Sequence, residues 1–187
     1  MPSIVYNYLL INFNRRKSIT MNLKINSTLV DCVIKGTLEG LQMTGLRPDA
    51  VGASRFNKAA SDLSVIVGLH GQCNGNMTLN FSENTAVFIA ERFMGEEIKT
   101  LDENAIDAIC EIGNMVAGSF KELLEPTEFR FTGISLPALI FGANYYLYHV
   151  KNITTVTVTF EINEVSINHI HDKFFTTSIS LLGQSGS

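Results

Sequence analysis

From Ser27 onward apolar residues recur at Val30, Ile34, Leu38 and Leu41, the four-residue step of an amphipathic helix entered through the capping-type sequence Asn26-Ser27-Thr28. Gly45 and Pro48 bound it. Two runs of β character follow, DLSVIVGLHG and GNMTLNFS, and the linking GQCNGN predicts that they form a hairpin. Ser82 has the character of an N-cap, so ENTAVFIAERFMG reads as a second helix closed by Gly95. A third and longer helix is predicted from about Asp102 to Leu124, with Ala105, Ile109, Ile112, Val116, Phe120 and Leu123 on one stripe and Pro126 forbidding continuation. Beyond it the chain turns to β patterns: EFRFTGISL, ANYYLYHV, TTVTVTFEI and KFFTTSISLL. In TTVTVTFEI, Val156, Val158, Phe160 and Ile162 alternate with threonines and Glu161, which predicts a sheet with one buried and one wet face. The expected architecture is α+β: a single domain with long helices packed on one face of a largely antiparallel sheet.

Composition narrows the setting. A chain of 187 residues, 45% hydrophobic, is long enough for one domain with a sizeable core. A net charge of −4, with no long Lys/Arg run, provides no footprint for nucleic acid or an anionic membrane surface. No stretch reaches the roughly 18 apolar residues of a membrane-spanning helix, so a soluble protein without membrane insertion is expected. Cys32, Cys73 and Cys110 are odd in number and widely spaced, which fits a reducing cytoplasm. In residues 1–20 the basic cluster follows the apolar part, the reverse of a secretory signal. Met21 opens a stretch that resembles an ordinary start, so residues 1–20 are expected to be an N-terminal extension and 21–187 the domain.

The third helix has two distinct faces. On a wheel of 100° per residue, Asn104, Asp107, Asn114, Gly118 and Glu122 all lie within about 60° of Glu111, opposite the apolar stripe. A row of acids and an amide must therefore face solvent or a partner. Two interior glycines each cost about 1 kcal/mol relative to alanine. Gly113 falls on the buried side, where another helix is expected to approach closely; Gly118 falls on the polar side and leaves open space beside Asn114.

The stretch LDENAIDAICEIGNMVAGSFKELL resembles the signature helix of the CheC, CheX and FliY family of chemotaxis phosphatases. That signature runs Asp or Ser, three residues, Glu, two residues, Asn, twenty-two residues, Pro, and Asp107, Glu111, Asn114 and Pro137 reproduce each gap. The hairpin, the helix before the signature and the β-rich tail extend the likeness over about residues 21–183. The chain holds one Glu-x-x-Asn pair; the first helix has Lys35 and Leu38 at the equivalent offsets from Asp31. The resemblance is thus to CheX-like members, which carry one active surface per chain and form homodimers.

What the resemblance implies is hydrolysis of the phosphoaspartate of a CheY-type response regulator. The regulator carries the catalytic Mg²⁺, so this chain needs no cofactor or metal of its own. Asn114 is expected to orient the water and Glu111 to pair with the regulator's active-site lysine, with Asp107 and Gly118 supporting and Pro137 structural. The alternatives are a binding module of the same fold that docks a regulator or flagellar component without hydrolysis, and a structural dimerisation domain. A homodimer is expected to join through an edge strand, TTVTVTFEI or KFFTTSISLL. Of other candidates, His169 and His171 would share a strand face but have no third ligand, and His70 and His149 stand alone.

Overall fold

A computed structural model describes residues 25–147, 153–165 and 167–182. The expected N-terminal extension and His149 lie outside the described residues. Helix α1 (Ser27–Gly40) begins where the Asn26 side chain accepts from the Leu29 amide at 3.0 Å. It gives way to a 3-10 turn (Gln42–Thr44) closed by Gly45 at φ 73°, in the left-handed region that glycine tolerates. Strands β1 (Asp49–Ser54) and β2 (Lys58–Ala59) precede the hairpin of β3 (Leu63–His70) and β4 (Gly75–Phe81). Helix α2 (Glu83–Met94) is capped by Ser82 and ended by Gly95 at φ 72°. Helix α3 (Glu103–Leu124) starts at Asp102, whose carboxylate accepts from the Ala105 amide at 2.9 Å. Then come β5 (Gly133–Ile134), β6 (Ala138–Phe141), β7 (Tyr145–Tyr146), β8 (Ile153–Glu161), a 3-10 segment (Ile167–Lys173) and β9 (Phe174–Leu182).

Among the described residues seven strands form one antiparallel sheet in the order β1-β8-β9-β4-β3, with β5 and β6 both on the outer side of β3. The three helices cover one face. Val65, Val67, Met77, Leu79, Val156, Val158, Phe160 and Ile179 point into that layer and are essentially inaccessible. Helix α1 lies over β8 and β9, and α3 over β3. The two helices approach closely because α1 is bare where they meet. A Cβ at Gly36 would stand 2.4 Å from the Phe120 ring, and one at Gly40 would stand 2.7 Å from the Val116 backbone. Gly113 serves a different contact from the one expected. Its missing side chain admits β3 rather than a helix, since a Cβ there would meet Val65 Cγ1 at 2.7 Å.

The structure corrects several strand expectations. Of EFRFTGISL only Gly133–Ile134 is strand; Phe129 and Phe131 instead drop into the core from an irregular loop tied to the hairpin by Cys73 N–H to the Arg130 carbonyl and Thr132 N–H to the His70 carbonyl. Of the described part of ANYYLYHV, Tyr145–Tyr146 pairs with Lys58–Ala59 in a separate two-stranded sheet. The threonine face is not uniformly wet. Thr157 is buried, donating to the Phe56 carbonyl at 2.8 Å and lying 2.8 Å from the Ser178 hydroxyl, while the Ser61 amide donates to Asn80. Residues 56–61 thus cover the middle of that face. His169 and His171 fall in the 3-10 segment rather than on a strand. Finally, β8 and β9 are interior strands, so neither strand expected to join two copies is an edge; the edges are β1 and β5/β6.

Candidate functional site

Helix α3 presents its polar row because its apolar side is fully engaged. Ile109, Ile112, Val116, Phe120 and Leu124 are buried, which fixes the rotation of the helix and turns Asp107 and Glu111 to solvent. Asn114 is half-buried, and its amide nitrogen donates to Glu111 Oε2 at 3.5 Å, the outer limit of a hydrogen bond. That contact leaves the Asn114 carbonyl oxygen available to accept from an incoming water. Gly118 has no heavy atom within 4 Å of where its Cβ would stand, so the helix surface beyond Asn114 is open. Cys110 lies on the flank between Asp107 and Asn114. Burial, with the neighbouring Asp107 carboxylate, pushes its thiol up from its ordinary value, so it stays protonated at neutral pH and does not compete as a nucleophile.

Pro137 belongs to this region through the sheet. Leu69 faces Ile134 and Ile66 faces Ala138, so the register slips by one residue between them and Leu136-Pro137 together oppose Val67. This is a β-bulge on an edge, the position where a residue without an N–H is tolerated. Val67 in turn lies under Gly113, 3.8 Å from its would-be Cβ. Pro137 is thus linked to α3 through Val67 beneath Gly113, while Asp107, Glu111 and Asn114 lie on the outer side of the helix. Sequence patterning carried no sign of the bulge, because register is set by pairing between segments distant in the chain. Among the described residues no group of three or more His, Cys, Asp and Glu side chains is arranged to hold a metal.

An α+β layer of three helices on an open antiparallel sheet is the fold class of CheC-like proteins. The fold matches that of a CheC-like superfamily protein from Shewanella sp. PV-4, with a TM-score of 0.69 at 22% identity over 85% of this chain and 100% of that one. It also matches the CheX–CheY–BeF3–Mg²⁺ complex from Borrelia burgdorferi, with a TM-score of 0.61 at 23% identity over 84% and 99%. Residues 63–161, from β3 through β8, match the family described as chemotaxis phosphatase CheX. A CheY-P phosphatase CheX from Thermotoga maritima is 30% identical over 122 residues, 63% of this chain and 78% of the relative. The chain belongs to the CheX family.

Proposed function

We propose that this phosphatase, which acts on the acyl phosphate of a phosphorylated response regulator, works by inserting the Glu111/Asn114 face of α3 beside the phosphoaspartate. The observation that carries the reading is the side-by-side placement of an exposed carboxylate and a carboxamide on a rigid, buried-backed helix, with open space at Gly118. Asn114 holds the attacking water through its carbonyl oxygen, in line with phosphorus. The water oxygen bonds phosphorus as the bond to the aspartyl carboxylate breaks, the carboxylate leaves as the free anion, and both water protons leave on inorganic phosphate as H2PO4⁻. A neutral amide suits this position because it orients water without adding charge beside an anion. Glu111 meets a cation of the regulator, its active-site lysine, and so aims the amide. Asp107, one turn earlier, adds negative charge on the approach side.

The Mg²⁺ that neutralises the phosphoryl oxygens belongs to the regulator, and this chain supplies no cofactor. The Borrelia complex, a CheX with CheY, a phosphoryl mimic and Mg²⁺, supports that division of labour. We place the protein in the cytoplasm, where its phosphorylated partner resides; among the described residues no helix is long and apolar enough to cross a membrane. The second reading, a binding module without hydrolysis, is separated by one variant. Asn114→Ala should lose at least about a hundredfold of accelerated dephosphorylation, measured as release of radiolabelled phosphate, while still binding a beryllofluoride-activated regulator. Full activity in that variant sinks the mechanism; an inactive wild-type protein that nonetheless binds establishes the module.

A further inference from the structure

We infer that Leu136, held out by the Pro137 bulge, is a residue that sets affinity and specificity for the regulator docked on α3. The inference rests on the phosphatase reading and adds to it a second contact outside the helix. Leu136 is 87% exposed, the most exposed large apolar side chain among the described residues. Its backbone is nevertheless firmly held. Ser135 N–H donates to the Gly68 carbonyl at 2.9 Å, Gly68 N–H donates to Ser135 Oγ at 2.8 Å, and Ser135 Oγ donates to the Leu136 carbonyl at 2.8 Å. Pro137 then fixes the next φ. These bonds fix the backbone from which the Leu136 side chain projects into solvent.

Its location supplies the partner. Helix α1 meets α3 on the side of Val116 and Phe120, and β3 meets it at Gly113. Continuing around the wheel away from α1, the next side chains are Ala117, Cys110 and Asn114, so Asn114 leans toward the edge on which β5 and β6 lie. The bulge occupies that edge at the level of Gly113, one strand spacing, about 4.8 Å, outward from Val67. A protein whose phosphoaspartate sits against Asn114 must therefore also come over Leu136. Ile134, on the helix-facing side of the sheet and 37% exposed, widens the apolar contact. The occupant is the regulator's receiver domain itself, since it is the body that carries the phosphoaspartate to Asn114, and it meets Leu136 with an apolar surface. An apolar anchor next to a charged site separates affinity from chemistry.

The test is steady-state dephosphorylation of the regulator by Leu136→Asp, Leu136→Ala and Leu136→Met, beside Asn114→Ala. Leu136→Asp should raise the half-saturating regulator concentration about tenfold or more with kcat within about twofold. Leu136→Ala should fall between, and Leu136→Met should restore near-normal behaviour. Unchanged half-saturation in Leu136→Asp overturns the inference while leaving the phosphatase reading intact, because wild type still turns over and Asn114→Ala does not. A loss of kcat alone also overturns it. Light scattering on the same samples completes the test: a dimer that dissociates on Leu136→Asp assigns the side chain to a joint between two copies and removes it from the regulator contact.

Discussion

Glu111 and Asn114 owe their usefulness to a local fact, the three-residue spacing that puts two side chains on one helix face. On the proposed pairing of Glu111 with a cation of the regulator, its contribution is chiefly a matter of binding. Glu111→Ala should raise the half-saturating regulator concentration and lower kcat, whereas Glu111→Gln, which keeps the shape, should show the binding loss chiefly at low salt, as surface charge pairs do. A titration series in NaCl checks this: a Glu111→Gln defect independent of salt would argue against a charge contact. Another single-residue effect concerns pH. Burial, with the Glu39 carboxylate adding to it, raises the Cys32 thiol from its ordinary 9.0 to about 12. The unfolded chain then releases this proton above about pH 9 while the folded one retains it, so the unfolded state binds fewer protons and stability falls as pH rises from about 9 to 12. Below pH 9 the effect is absent. Denaturant unfolding at pH 8 and pH 10.5 should show the loss, and Cys32→Ser should reduce its slope. The Glu111/Asn114 pair was legible in the sequence because a helix brings the two residues together within a few positions, whereas the Cys32 shift follows from burial and was not. Nor was Leu136, since its role depends on a register slip between strands about seventy residues apart in the chain.

The helices were readable in advance because each carries its own signals: Asn26, Ser82 and Asp102 at the N-caps, Gly95 at a C-terminus, and a sustained apolar stripe. The strands divided by burial. β3, β4, β8 and β9 contribute alternating side chains to the core and were visible as patterns, whereas β1, with the sequence Asp-Ala-Val-Gly-Ala-Ser, is exposed along its length and carries a bulge between Ala50 and Gly52. Such an edge has no periodicity to read. β6 is short and half-exposed, and its pairing with β3 becomes apparent only once the hairpin is in place. The glycines give an element-scale prediction with opposite signs. Gly40→Ala drives a methyl group into the Val116 backbone and should destabilise by about 1–3 kcal/mol, seen as a lowered denaturation midpoint. Gly118→Ala meets nothing in the isolated protein and should stabilise by up to about 1 kcal/mol. If the space at Gly118 exists for the docked regulator, the same variant will bind that regulator less tightly. Increased stability with unaltered binding would show that the partner never reaches that turn.

At the scale of the whole molecule, the sheet has two open edges, and a homodimer must use one of them. β1 is poorly suited. Its bulge interrupts the row of backbone groups, and bulges of this kind are how edges avoid pairing. β6 pairs with β3 in unbroken register over Ala138–Phe141, and Phe141 beside it is 64% exposed, an apolar surface that a second copy would cover. Pro137, lacking an N–H, ends the run available for pairing. We therefore expect a two-fold dimer in which Ala138–Phe141 of two copies lie antiparallel, making one continuous sheet. Leu139 and Phe141 carry the outward backbone groups, so the axis passes at Ile140 with Leu139 opposite Phe141, and the two Leu136 positions stand eight residues apart along the joint, about 27 Å. Each Glu111/Asn114 row stands on the outer side of the helix layer, and although Asn114 leans toward the joined edge we expect both rows to stay open, so that two regulators bind per dimer. Gly142 N–H donates to the Asp62 carbonyl, so Ile140 bonds inward to β3 and Phe141 carries an outward N–H; Phe141→Pro should therefore dissociate the dimer without unfolding the monomer, read by light scattering beside circular dichroism. A monomeric wild type at micromolar concentration, or saturation at one regulator per dimer in a calorimetric titration, would contradict this arrangement. So would dissociation by a proline in β1 with the β6 variant still dimeric.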